Sequence, residues 1–199
     1  MQNSNGLINS SSVGYQGNFH LIGALLGYVS MLVPGVQLRK LIKIIYLIDE
    51  AFVERRGFPL TWLDYYAWEK GPVARELYSL KDGAFSDYVI CRKNGDGKNI
   101  VSSQQGDSLS LQQFSEYELQ VIDEMVARYA GMSSDELTGK THEQGTLWHR
   151  TVADRNIDFS VSKESDALVD LRAIAEAYGN EDIYDDARWN MELLAVMNR

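Results

Sequence analysis

The sequence has little cysteine and proline and no long hydrophobic run. Cys91 is the only cysteine in 199 residues, which excludes an intrachain disulfide and a cysteine cluster for zinc or iron. The apolar stretch 19–33 is interrupted by His20, glycines and Ser30, and is too short to cross a bilayer. Residues 1–17 lack the basic region of a signal peptide. These absences predict a soluble, cytoplasmic protein that makes no membrane contact.

Positive charge is also scarce, and the deficit lies mostly near the end of the chain. The formal net charge is −9. Residues 154–199 hold eleven acids and five bases, a net charge of −6, whereas residues 1–152 hold seventeen acids and fourteen bases, a net charge of −3. A surface of this sign repels phosphate backbones, so we expect no extended nucleic-acid binding.

The residue types that carry catalysis or bind metals do not form a recognisable site. His142, Glu143 and His149 could be read as metal ligands, but the seven-residue gap between the histidines is not the one-turn spacing of two ligands on a helix face. Cys91 lies in a predicted strand, where a small thiol usually fills the core. We therefore predict no catalytic residue, cofactor or metal, and a protein that is not an enzyme.

Hydrophobic spacing predicts a mainly helical α+β domain. The strongest helix covers residues 36–56, with apolar positions at helical spacing and Gly57 as its stop. The sequence Asn-Gly-Asp-Gly at 94–97 separates two strand-like runs and predicts a small antiparallel β-hairpin. Pro72 is well placed as the first residue of a short helix.

The remaining periodic segments are predicted to be helices. They cover residues 19–33, 115–129, 133–141, 162–178 and 181–197. The whole chain then divides into a flexible N-terminal tail, 1–17, a domain, 18–152, and an acidic helical extension, 153–199, that packs on the domain.

Residues 61–68 are unusually rich in large aromatic rings. If this segment is extended, Trp62, Asp64, Tyr66 and Trp68 share one side. A core strand followed by a turn is one sufficient explanation of the rings. The alternative is a surface that binds a protein partner, because Asp64 is costly to bury and aromatic residues concentrate at interfaces. In this alternative the side that carries Asp64 is partly exposed, and Tyr66 on it contacts the partner with little loss of side-chain entropy.

Three blocks of the sequence resemble a known family. They are Leu-Ile-Lys-Ile-Ile-Tyr-Leu-Ile-Asp-Glu-Ala-Phe-Val-Glu-Arg-Arg-Gly at 41–57, Pro-Leu at 59–60 followed by Tyr-Ala-Trp-Glu-Lys-Gly-Pro-Val at 66–73, and Leu137 with Thr141, His142 and Trp148. Their order and spacing resemble the Panacea domain, also called SocA-like, which is related to phage-associated GepA-type proteins. Where the family usually places a proline before the last tryptophan, this sequence has Leu147.

The resemblance implies an antitoxin of a toxin–antitoxin system. Members neutralise a protein toxin by direct binding, and at least one relative delivers its toxin to a Clp protease. No catalytic residues come with the resemblance. The motif residues are expected to be structural: Tyr46, Asp49, Trp68, Gly71, Pro72, Val73, His142 and Trp148.

A transcriptional regulator of winged-helix type, acting on its own operon, is the alternative function. Its support is a group of three bases, Arg39, Lys40 and Lys43, on one predicted helix face. The net charge of −9 counts against it.

Overall fold

The computed structural model describes residues 12–197 of the chain. The helices of this part are α1 (Val13–Gly17), α2 (Phe19–Leu32), α3 (Leu38–Arg56), α4 (Arg75–Tyr78), α5 (Glu116–Tyr129), α6 (Ser134–His142), α7 (Leu147–Asp154), α8 (Arg172–Ala177) and α9 (Glu181–Met197). The strands are β1 (Val36–Gln37), β2 (Tyr65–Trp68), β3 (Gly71–Ala74), β4 (Val89–Lys93) and β5 (Asn99–Ser103). The predicted mainly helical α+β class is confirmed.

Helix α3 is the centre of the core. Its apolar positions recur at helical spacing, and the side chains of Leu41, Ile45, Ile48 and Phe52 are fully buried. Gly57 ends the helix in the left-handed conformation, with φ 90°, and its N–H donates to the carbonyl of Val53. The helix begins two residues later than predicted because Val36 and Gln37 pair with β5 as strand β1.

The predicted hairpin is confirmed as β4 and β5. Asn94 shapes its turn by accepting hydrogen bonds from the backbone N–H groups of Asp96 and Lys98 at 3.0 Å and 2.9 Å. With β1 it forms a three-stranded antiparallel sheet in the order β1-β5-β4. This sheet lies beside α2 and the start of α3.

A second antiparallel pair, β2 and β3, was not predicted. Pro72 lies inside β3, opposite Ala67, and the helix that follows begins only at Arg75, so the prediction of Pro72 as a helix start is wrong. A proline is tolerated in this strand because the pair has only two strands and β3 is an edge.

The free edge of β2 is covered by an extended segment, residues 163–169, which we call the strap. The N–H of Ala67 donates to the carbonyl of Ala167 at 2.9 Å, and the N–H of Val169 donates to the carbonyl of Tyr65 at 2.8 Å. The N–H of Glu69 donates to the carbonyl of Lys163 at 2.9 Å. The predicted helix over 162–178 is therefore wrong except at α8, because pairing with β2 holds the strap extended.

The predicted flexible tail needs correction at its end. Residues 13–17 form α1, whose Gly14 N–H donates to the carbonyl of Trp62 at 3.1 Å, and Ser12 N–H donates to Glu76 at 2.7 Å. The remainder of the predicted tail, residues 1–11, lies outside the described residues. Within the described range, no helix combines the length and the apolar character needed to cross a membrane.

The predicted helices over residues 115–129 and 133–141 are confirmed as α5 and α6. Ser115 with Glu118 opens α5, and Ser133 with Glu136 opens α6, each through a reciprocal capping box. Helix α7 was not predicted. It begins at Leu147, where Thr146 caps it by accepting the N–H of His149.

The turn between β2 and β3 generates a first prediction. Gly71 has φ 109°, and a Cβ there would collide with Nζ of Lys43 and lie 2.8 Å from Oγ1 of Thr141. Gly83 has a similar φ of 93° but open space around it. We expect Gly71→Ala to lower the free energy of unfolding by about 2 kcal/mol more than Gly83→Ala does, since only Gly71 adds overpacking to backbone strain. Urea titrations of both variants measure the difference, and equal losses would contradict the packing argument.

Candidate functional site

The family-motif residues converge on a buried carboxylate. Asp49 on α3 accepts the N–H groups of Leu60 and Thr61, both at 2.9 Å, and the hydroxyls of Thr61 and Tyr65. Its side chain is fully buried. Burial raises the pKa of this carboxyl, although the hydrogen bonds from Thr61, Tyr65 and Leu60 oppose the change. Asp49 therefore fastens the central helix to the segment that leads into β2.

Six residues earlier on α3, Lys43 joins the helix to the β2–β3 turn. Lys43 is only 1% exposed, and its Nζ donates to the carbonyl of Lys70. Burial, and next the charge of Arg39, lower the pKa of Lys43 to about 7. Gly71 leaves room for this ammonium group because it carries no side chain.

The third motif block packs on the same turn. Trp148 donates its indole N–H to the carbonyl of Trp68 at 2.9 Å, and the ring of His142 stacks on Trp148 with 3.5 Å between centroids. Burial, followed by the charges of Lys43 and Lys70, lowers the pKa of His142 to about 4. We expected His142 to be hydrogen-bonded. Within residues 12–197 its buried Nε2 has no hydrogen-bond partner, so that expectation is wrong for this atom.

The predicted open side of the aromatic segment is mostly closed. Trp62, Tyr66 and Trp68 are 5%, 9% and 9% exposed, and only Asp64 is partly exposed. Two physical reasons explain the error. Trp62 adopts φ 56°, so extended structure begins only at Tyr65. The guanidinium of Arg75 lies 3.9 Å from the centre of the Tyr66 ring, while the strap runs along the strand.

Two of the predicted partner-binding residues lie against α9 instead. The ring of Trp62 is 5.1 Å from that of Tyr184 on α9. The carboxyl of Asp64 has its pKa raised by burial, an effect that the charge of Arg188 on α9 opposes. Trp62 and Asp64 thus help to position the last helix.

An open cleft of about 480 Å³ lies beside the β2–β3 turn. Its walls come from five separate parts of the chain: the start of α3 with β1, the β2–β3 turn, Tyr78, the hairpin turn, and the strap. The residues that line it are Gln37, Leu38, Arg39, Ile42, Lys43, Trp68, Glu69, Lys70, Pro72, Val73, Tyr78, Gly97, Lys98, Asn99, Lys163 and Glu164. Sequence analysis did not predict this cleft. Among its residues, Trp68 had been considered for protein binding, and Arg39 and Lys43 for DNA binding.

The considered metal ligands are not assembled into a site. His142 stacks on Trp148, and Glu143 accepts a hydrogen bond from Lys140. No group of three potential ligands suitable for a metal ion occurs among the residues that the structure describes. The thiol of Cys91 has its pKa raised, chiefly by burial, which disfavours a reactive thiolate.

The basic face proposed for DNA binding is not free either. Lys43 is buried, Lys40 donates to the carbonyl of Ala130 at 2.5 Å, and Arg39 pairs with Asp135 at 3.0 Å. The three bases that supported the winged-helix alternative therefore do not form an open basic surface.

These features define a mainly helical α+β domain whose motif residues join a central helix to a short β-hairpin. The sequence model of the family described as "Antitoxin SocA-like, Panacea domain" matches residues 41–149, which covers all three motif blocks from Leu41. The chain belongs to this antitoxin family. No significant match was found among curated proteins or among solved structures.

Because Tyr66 is buried, its substitution should affect the stability of the fold rather than the binding of a partner. We predict that Tyr66→Ala lowers the free energy of unfolding by about 3 kcal/mol, since truncation of a large buried ring leaves a cavity. Tyr117→Ala is the matched control because Tyr117 is 46% exposed, and we expect it to cost less than about 1 kcal/mol. Thermal and urea melts of both variants test this; similar losses would show that Tyr66 is not a core residue.

Lys43 generates a prediction about pH. Its pKa is about 7 in the folded chain and 10.5 as an ordinary lysine, so between these values the unfolded chain binds more protons. The free energy of unfolding should then rise with pH across this window, by at most about 1.4 kcal/mol per pH unit.

Lys43→Met removes the titrating group and should flatten this rise, while Lys140→Met, at an exposed position, should keep it. Urea titrations at pH 7, 8 and 9 provide the measurement. A slope that Lys43→Met leaves unchanged would show that Lys43 does not cause it.

Proposed function

We propose that this chain is an antitoxin that binds and neutralises a protein toxin through the exposed face of α9. Its family membership supports the antitoxin role. The observation that carries the choice of surface is the distribution of exposed apolar side chains. Two of those in the described part, Leu32 and Tyr117, lie before residue 161; the others are Val161, Leu168, Tyr178, Ile183, Trp189, Leu193, Leu194, Val196 and Met197.

The exposed apolar residues of α9 form a continuous face. Trp189, Leu193 and Val196 are spaced by four and three residues, so they lie on one side of the helix. Trp189 is 63% exposed, and the opposite side of the helix is anchored by Tyr184 and Met191 in the core. Exposed apolar surface of this extent on a folded domain marks a site of protein interaction, and tryptophan is prominent among interface hot spots.

Charge on the same helix indicates the chemistry of the partner. Asp182 and Asp186 lie seven and three residues before Trp189, so they share its face. Residues 181–197 hold five acids and one base, a net charge of −4. A toxin surface with an apolar centre and a basic border would complement this face.

The predicted partner-binding residues have a supporting part in this proposal. Trp62 packs under α9 through Tyr184, and Asp64 lies near Arg188. They hold the face in place without touching the toxin. Delivery of the bound toxin to a Clp-type protease would be a second step in the cytoplasm, measurable as a shorter toxin half-life in cells that contain the protease.

The test uses the protein encoded next to this gene as the toxin. We expect Trp189→Ala to weaken toxin binding by about 2 kcal/mol, roughly thirtyfold in Kd, with little change in melting temperature. Tyr117→Ala is the control, since it removes an exposed ring on α5, far along the chain from α9. Binding by calorimetry and rescue of growth on co-expression are the two readouts.

Two results would contradict the proposal. A Trp189→Ala protein that binds and rescues like the unsubstituted chain would exclude this face of α9. Equal losses from Trp189→Ala and Tyr117→Ala would show a general effect of removing surface rings.

A further inference from the structure

The cleft beside the β2–β3 turn concentrates positively charged residues in an acidic protein. Five bases line it, namely Arg39, Lys43, Lys70, Lys98 and Lys163, against two acids, Glu69 and Glu164. The excess of three positive charges contrasts with the net charge of −9 for the whole chain. A concave surface focuses such a field and raises the local concentration of anions.

Some of these bases are already paired and others are available. Lys163 contacts Glu69 at 2.7 Å, and Arg39 contacts Asp135 at 3.0 Å. Lys70 is 3.9 Å from Glu69 and remains largely exposed, while Lys98 is exposed and forms no ion pair among the described residues. The free charge therefore lies on opposite walls of the cleft, at the β2–β3 turn and at the hairpin turn.

The inner wall supplies further donors. Lys43 is buried there and donates one hydrogen bond to the carbonyl of Lys70, which leaves two of the three N–H donors of its protonated form for another acceptor. Trp68 lines the same cleft and is 9% exposed, and its buried indole N–H has no acceptor in the described part of the chain. A buried donor without an acceptor is costly, so this wall of the cleft is not fully satisfied by the described residues alone.

Backbone groups add to this set. Gln37, Leu38 and Arg39, at the start of the nineteen-residue helix α3, line the cleft. Helix α3 has no side-chain cap and no acidic residue in its first turn. None of its own side chains therefore offsets the partial positive charge at its N-terminus. The first N–H groups of a helix have no partners within the helix and donate hydrogen bonds readily to an anion.

The rest of the cleft is apolar. Leu38, Ile42, Val73 and Tyr78 contribute to its walls, with Trp68 and Tyr78 in edge-to-face contact at 5.0 Å. A cleft of about 480 Å³ lies within the size range of small-molecule sites. A ligand that fits both parts has an anionic group and a flat apolar body.

We propose that this cleft binds a small phosphorylated molecule of the nucleoside monophosphate class. Its phosphate lies between Lys43, Lys70 and Lys98, and its base lies against the apolar wall. A phosphate fits better than a carboxylate because a doubly charged group can be matched by Lys70 and Lys98, whose free charges lie on opposite walls of the cleft. Lysines, which supply four of the five bases, act as point charges toward phosphate.

The experiment is a calorimetric titration of the full chain with adenosine monophosphate, adenosine and inorganic phosphate. We expect the nucleotide to bind, and each of its two parts alone to bind at least about tenfold more weakly, since the apolar wall and the cationic wall both contribute. Lys70→Glu combined with Lys98→Glu should weaken nucleotide binding by about tenfold or more, because two attractions become repulsions. Both positions are exposed, so the variant should keep its fold.

Lys93→Glu combined with Lys140→Glu is the matched control, since both lysines are exposed and neither lines the cleft. We expect the control to bind the nucleotide like the unsubstituted chain. The proposal fails if no nucleotide binds at millimolar concentration, or if the control loses as much affinity as the cleft variant. It also fails if an acidic peptide with aromatic residues binds more tightly than the nucleotide and is lost with Lys70 and Lys98, which would make the cleft a peptide site. None of these outcomes depends on toxin binding by α9.

Discussion

The structure depends on one buried carboxylate. Asp49 is fully buried on the central helix, and it accepts four hydrogen bonds from residues 60–65. A buried acid of this kind is tolerated only when its oxygens are satisfied, so the carboxylate dictates where the chain must pass after α3. That path brings Tyr65 back over the helix and sets the position of β2. Lys43, two turns nearer the start of the helix, then fixes the other end of the β2–β3 pair.

Several later elements pack on α3 and the β2–β3 pair. Helices α6 and α7 bring Trp148 to the carbonyl of Trp68, and the strap adds a third extended segment beside β2. Helix α9 rests on Trp62, which belongs to the same segment. In this chain the motif residues therefore join α3, the β2–β3 pair and α7. The two surfaces proposed to bind partners, the apolar face of α9 and the cationic cleft, are built from other side chains together with a few of these.

Local signals in the sequence were sufficient for much of the fold. The spacing of apolar residues in α3, the Asn-Gly turn between β4 and β5, and the helix starts at Ser115 and Ser133 depend on signals within a few residues, and all were predicted. The errors arose where distant segments meet. Pro72 looked like a helix start because its pairing with Ala67 is not a local property, and the strap looked helical because its partner strand lies about 100 residues earlier. The rings of 62–68 seemed open for the same reason, since their cover comes from Arg75 and from the strap. The cationic cleft draws on residues 37 to 164, so no single stretch of sequence reveals it.

The strap also decides how this protein behaves toward copies of itself. A strand edge with unpaired N–H and carbonyl groups is a template for strand exchange and aggregation. Here the groups of Tyr65 and Ala67 are occupied by the chain's own later residues, which are held by main-chain bonds and by ion pairs of Lys163 with Glu69 and of Arg75 with Asp166. During synthesis, β2 leaves the ribosome long before residues 163–169 do. For that interval the nascent chain carries an unpaired strand edge rich in aromatic residues. The edge is covered, and protected from pairing with another chain, only when the strap has been made.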